Sequence, residues 1–203
     1  MFIWLKPTLH WTTQLLCCLL LAALVAACGA AGATGNNTAA PTPTPKSTGA
    51  TMTNLVGNGF TMNYPQNWQV TRSGSHLVTL VDSTGAMKFD ITVVPNPNAA
   101  VSAESLANAG TKVASTALKN SQAVMVPSTA TIGGETWTQK SVSGVQRLNS
   151  ADTQIQVVVV AGIHPTKAPA SKGYTIDYRA PKSTFDSANT TYFQPMLQSF
   201  KFG

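Results

Sequence analysis

Few side chains in this sequence can do chemistry. It holds three cysteines, three histidines and seven acids against thirteen lysines and arginines. Cys17 and Cys18 lie inside an apolar run from Leu15 to Ala27, and Cys28 follows it directly. No thiol occurs after Cys28, so a thiolate nucleophile, a zinc–thiolate centre and an intramolecular disulfide are all excluded in the rest of the chain. His76 and His164 lack a second ligand at metal spacing: there is no His-x-x-x-His, and no carboxylate falls within four residues of His164. Both read as surface histidines in turns. His76 lies six residues before Asp82, yet no nucleophile elbow accompanies the pair, so a Ser/His/Asp triad is not supported. Asp82, Asp152 and Asp186 sit in turn-like contexts that Asx hydrogen bonding explains. Period-two alternation points Asp177 outward beside Arg179, and Asp90, between Phe89 and Ile91, toward solvent on the opposite face from its apolar neighbours. A paired-carboxylate hydrolase needs two acids converging in a cleft, and no spacing here suggests it. Gly133-Gly134 lacks a following Lys-Ser/Thr and leads into a strand, so it reads as a hairpin turn, not a phosphate loop. The expectation is no catalytic residue, no metal ligand and no cofactor.

Cys28 is the exception. A short head carrying Lys6 precedes the apolar run, which has the length of a signal-peptide core and is too short to span a bilayer comfortably. It ends in Val25-Ala26-Ala27-Cys28, which resembles the bacterial lipobox: an aliphatic residue, two small residues, then a cysteine. The resemblance implies diacylglyceryl transfer to the Cys28 thiol and cleavage before it. Residues 1–27 are then a signal peptide, and the exported protein is held on the outer face of the bacterial cell membrane by its lipid.

Residues 28–53 follow as a tether of Ala, Gly, Thr and Pro, with no large apolar side chain before Met52 to offset the entropy of ordering. Pro41-Thr42-Pro43-Thr44-Pro45 favours a stiff polyproline-like path. Asn36-Asn37-Thr38 is a formal glycosylation sequon that carries little weight in a bacterial lipoprotein. The formal net charge is +6, but the lysines are scattered singly, so mild attraction to anionic lipid or wall polymer is implied and nucleic-acid binding is not.

Residues 54–203 are long enough for one domain with a substantial core. Phe60, Met62 and Tyr64 alternate with polar residues as a half-buried strand stopped by Pro65, and Trp68 and Val70 resume the pattern. Leu77–Val81 and Met87–Val94 read as further strands, with Pro95-Asn96-Pro97-Asn98 as a rigid break. Between Ser102 and Leu118 the period becomes helical. Ser102 serves as N-cap, and Leu106, Gly110, Val113, Ala114, Ala117 and Leu118 form a narrow face suited to close packing. Strands return at Ala130–Ile132, Glu135–Lys140, Thr153–Ala161 and Tyr174–Tyr178, and Val157–Val160 is apolar on both faces. A last helical stripe runs from Phe185 through Phe200, its regular part starting near Thr190 because of Pro195. The aromatics Tyr64, Trp68, Trp137, Tyr174 and Tyr178 would line a pocket or fill the core; core packing is the default for the tryptophans.

This pattern is similar to the PsbP-type domain, shared by an extrinsic photosystem II protein and the yeast Ran-binding Mog protein. The carrying residues are Gly59-Phe60-x-Met62-x-Tyr64-Pro65-x-x-Trp68, Ile132-Gly133-Gly134-x-x-Trp137, Tyr174-Thr-Ile-Asp-Tyr178-x-Ala-Pro181 and Phe193-x-x-Met196-Leu197-x-Ser199-Phe200-x-Phe202. The resemblance implies an α+β fold, an α/β/α sandwich whose mostly antiparallel sheet is flanked by helices on both faces. It implies no activity, since members share the fold and not a function. The expected protein is a membrane-anchored envelope lipoprotein, a non-enzymatic binding or assembly module with an unidentified protein or apolar ligand as partner. Alternatives are a carrier holding a lipid between sheet and helix, and an envelope hydrolase.

Overall fold

The computed structural model describes residues 50–98, 100–166 and 169–203. The expected signal peptide, Cys28 and residues 29–49 of the expected tether lie outside the described residues. Among the described residues eleven strands, all antiparallel to their neighbours, form two sheets. Strands β1 (Met52–Gly57), β2 (Phe60–Pro65) and β11 (Lys201–Phe202) make the smaller. The larger runs in the order β3 (Gln69–Ser73), β4 (Leu77–Val81), β5 (Lys88–Pro97), β10 (Ala170–Pro181), β9 (Ala151–His164), β8 (Glu135–Leu148), β6 (Lys119–Ala123), with β7 (Thr129–Ile132) also paired to β8. The fold is α+β.

One face of the larger sheet carries Phe89, Ile91, Val158, Val160, Tyr174, Ile176 and Tyr178 into the main core, where they meet Trp68, Trp137, Phe185, Phe193, Met196 and Phe200. The helical stripe at the carboxyl end is therefore real, but it starts earlier than Thr190. A short 3-10 turn at Lys182–Thr184 leads into α2 (Phe185–Ala188), a wider π-type turn over Asn189–Phe193, and α3 (Gln194–Gln198). Pro195 falls in the first turn of α3, where its missing N–H costs nothing.

The opposite face carries Val142, Val157 and Val159, packed with Leu118 from the end of α1 (Ala103–Thr116). Ser102 caps this helix by accepting a 3.1 Å hydrogen bond from the Ser105 N–H, and Glu104 in the first turn complements the helix dipole. Close approach needs Gly110: a Cβ there would stand 2.8 Å from Val159 Cγ1. Ala107, not Val113, is the fully buried residue of the helix, and Val113 is 72% exposed.

Several elements depart from expectation. β5 does not break at Pro95; it runs on through Pro97, pairing Pro95 with Lys172 and Pro97 with Ala170. β4 pairs with β5 only as far as Thr92, so beyond it one side of β5 is an edge that tolerates proline. β1 begins at Met52, two residues before the expected domain boundary, and β6 and β11 carried no apolar signal strong enough to mark them. Every strand, helix and core cluster described lies within residues 52–202, so the unit Lys46–Gly203 holds its own core, which is what a domain needs to fold alone. Among the described residues no helix is long and apolar enough to cross a membrane.

Candidate functional site: a cleft beside helix α1

α1 packs on β8, β9 and β10, and a gap separates it from the same face of β5. The gap between them is a half-open cleft of about 400 Å³, walled on one side by Leu106, Ala109, Gly110, Val113, Ala114 and Ala117 of α1. Its other wall is the sheet: Val157 of β9, Thr175, Asp177 and Arg179 of β10, and Lys88, Asp90, Thr92 and Val94 of β5. The helix wall is apolar because small residues face the sheet. The sheet wall is polar because it is the half-exposed side of each strand's alternation.

The strand register sets the chemistry. Lys88-x-Asp90-x-Thr92 on β5 runs antiparallel to Thr175-x-Asp177-x-Arg179 on β10, so Lys88 stands opposite Arg179, Asp90 opposite Asp177 and Thr92 opposite Thr175. Like charges directly opposite on a sheet are destabilising; the diagonal contacts offset this. Lys88 Nζ lies 2.6 Å from Asp90 Oδ2, and Thr79 Oγ1 of β4 donates to Asp90 Oδ1 at 2.5 Å. Asp90 is 8% exposed and has both oxygens engaged. Burial, with the charge of Asp90 next, pushes the Asp177 carboxyl up to about 7, and a hydrogen bond shared with Asp90 favours the same protonated form. Below about pH 7 the neutral form of Asp177 is therefore favoured beside Asp90. Arg179 donates from Nη1 to Gln146 Oε1 at 2.5 Å, and its buried Nε has no partner. Burial lowers the Arg179 pKa, and both acids oppose that shift.

Two acids thus converge in a cleft, contrary to the sequence expectation that placed Asp90 in solvent and Asp177 as an exposed cross-strand charge. The other candidates disperse. Asp82 accepts from Met87 N at 2.7 Å and Thr84 N at 3.2 Å, closing an Asx-type turn. His76 Nδ1 lies 3.1 Å from the Val93 carbonyl. His164 does have a partner: β8 pairing brings Glu135 Oε1 to 2.7 Å from its Nδ1, and the ring stacks on Phe202 at 3.7 Å between centroids. Trp68, Trp137, Tyr174 and Tyr178 are core residues, and Tyr64 packs against them half-buried. Among the described residues no three of His, Cys, Asp and Glu gather as a metal site would require.

No protein-family model matches this sequence, and no curated protein matches it. Several solved structures are similar at low sequence identity, two of them as follows. One, from Bacteroides thetaiotaomicron, is 13% identical with a TM-score of 0.45, over 76% of this chain and 48% of the other. The chain thus spans about half the length of that relative. The second is LpqN, described as involved in cell envelope biogenesis of Mycobacterium tuberculosis, 13% identical with a TM-score of 0.48, over 74% of this chain and 90% of the other.

Proposed function

We propose that this chain is a lipid-anchored envelope protein of PsbP-like fold, with helices on both faces of its larger sheet, that binds an apolar or amphipathic ligand in the cleft beside α1. The observation that carries the reading is the cleft itself: about 400 Å³ between helix and sheet, apolar along α1, within the size range of small-ligand sites. An assembly surface is less well supported. Among the described residues the large exposed apolar side chains, Val56, Val113 and Met125, lie on β1, on α1 and in the loop before β7, and scattered residues of this kind are ordinary. Of the three, only Val113 lines the cleft.

The activity is non-enzymatic binding. Both oxygens of Asp90 are held by Lys88 and Thr79, so Asp90 and Asp177 are not set out as the free acid and base of a two-carboxylate hydrolase. Their work is in setting the charge of the wall. Lipid on Cys28 keeps the domain at the membrane's outer face, and the tether gives it reach.

The test is occlusion. Ala109 is exposed on the cleft wall, so Ala109→Trp fills the cleft without disturbing the core. Dodecanol binding, followed by calorimetry on Lys46–Gly203, should be lost in this variant at unchanged melting temperature. Equal binding by both proteins would remove the cleft as the site.

A further inference from the structure

We propose that the cleft selects amphiphiles with a single negative charge, of the class of a long-chain carboxylate, seated with the headgroup on Arg179 and Lys88 and the tail along α1. This rests on the cleft-binding reading and adds a ligand class to it.

The argument is a charge count on one wall. Lys88 and Arg179 supply two cations against Asp90 and Asp177, and burial favours the neutral form of Asp177 below about pH 7. Asp90 is committed to Lys88 and Thr79. Arg179 has only the neutral Gln146 as side-chain partner, its Nε is unsatisfied, and among the described residues it forms no ion pair within 4.0 Å. The wall therefore carries one uncompensated positive charge, centred on a guanidinium whose flat fork suits a carboxylate. The groups facing Asp177 are Lys88 and Asp90 from β5 and Arg179 from β10. β9 presents Val159 and Val157, and α1 presents Leu106, Ala109 and Gly110, none of which titrates. Glu104 and Lys140 pair with each other at 2.7 Å and add no net charge.

Position along the cleft fits an amphiphile. Lys88 and Arg179 stand at one end, level with Val157, and Leu106 and Val94 stand at the other. At roughly 30 Å³ per water-sized group, the 400 Å³ volume holds about a dozen non-hydrogen atoms, close to a twelve-carbon chain. Above the pH at which Asp177 ionises, the wall becomes neutral and the selectivity should fade. An anion binding there should draw a proton onto Asp177.

Three probes of equal tail decide it: dodecanoate, dodecanol and dodecyltrimethylammonium, titrated calorimetrically below their aggregation concentrations into Lys46–Gly203. At about pH 6, dodecanoate should bind about tenfold tighter than dodecanol, the scale of one charge-assisted hydrogen bond, and the cation weakest. At about pH 8.5, above the Asp177 value of about 7, the dodecanoate advantage should shrink several-fold while dodecanol stays level. Asp177→Asn should hold the advantage at both pH values, and Arg179→Gln should abolish it while dodecanol still binds. Dodecanol binding as tightly as dodecanoate at both pH values overturns the charge inference and leaves the cleft standing. If none of the three binds, both fall.

Discussion

Asp177→Asn should make the protein more stable at alkaline pH and not at acid pH. The carboxyl has an ordinary value of 3.8 and is pushed up to about 7 by burial and by Asp90. Between those values the folded chain holds a proton that the unfolded chain has released. Stability from this group is thus fully present below about pH 4 and is lost as pH rises through about 7. About three pKa units at 1.36 kcal/mol each set a ceiling of about 4 kcal/mol on the loss. Asparagine keeps the shape and cannot ionise. Relative to wild type, the variant should lose about 1 kcal/mol at about pH 4 for the missing O–H donor and gain up to about 3 kcal/mol at about pH 8.5. Urea unfolding followed by tryptophan fluorescence at several pH values reads both numbers, and taking the difference cancels the titration of groups distant from Asp177. Asp90→Asn is the control: it strands the Lys88 ammonium and should destabilise at every pH. A difference between Asp177→Asn and wild type that does not vary with pH, or a variant weakest at alkaline pH, would refute the account of a carboxyl held neutral by burial.

Other outcomes follow from the same structure. Trp137→Ala and Phe200→Ala, at 0% and 1% exposure, should each cost about 3–5 kcal/mol in denaturant unfolding; Trp137 Nε1 has no hydrogen-bond partner, so its loss is one of packing. Cys28→Ala should abolish incorporation of labelled fatty acid and release the protein from the membrane fraction or leave it unprocessed. Replacing both His76 and His164 with Gln should leave dodecanol affinity unchanged, because neither lines the cleft; lost affinity at an unchanged melting temperature would point to a histidine-dependent site.

Alternation made β2, β4 and β10 legible, because each buries one face and wets the other. β6 was illegible for the opposite reason: Lys-Asn-Ser-Gln-Ala is exposed along its whole length and is held by backbone pairing to β8 alone. Pro95 read as a break because proline excludes a central strand, whereas that stretch of β5 is paired on one side only. The His164–Glu135 contact joins residues 29 apart, and Asp90 and Asp177 come from strands paired across most of the domain. No single strand records such meetings. A trace of the second was present all the same. Lys-x-Asp-x-Thr and Thr-x-Asp-x-Arg are mirror patterns, and antiparallel pairing superimposes them charge on charge. What the sequence lacked was the register.

The central claim, a ligand cleft between α1 and the β5–β10 pair, is tested most directly by mapping where a probe touches. Amide chemical shifts of isotopically labelled Lys46–Gly203 should move on addition of dodecanoate along Leu106–Ala117 of α1, Lys88–Val94 of β5 and Thr175–Arg179 of β10, and stay in place around His76, His164 and the Trp68 corner of the core. Shifts confined to those other regions, or spread evenly over the surface, would contradict it.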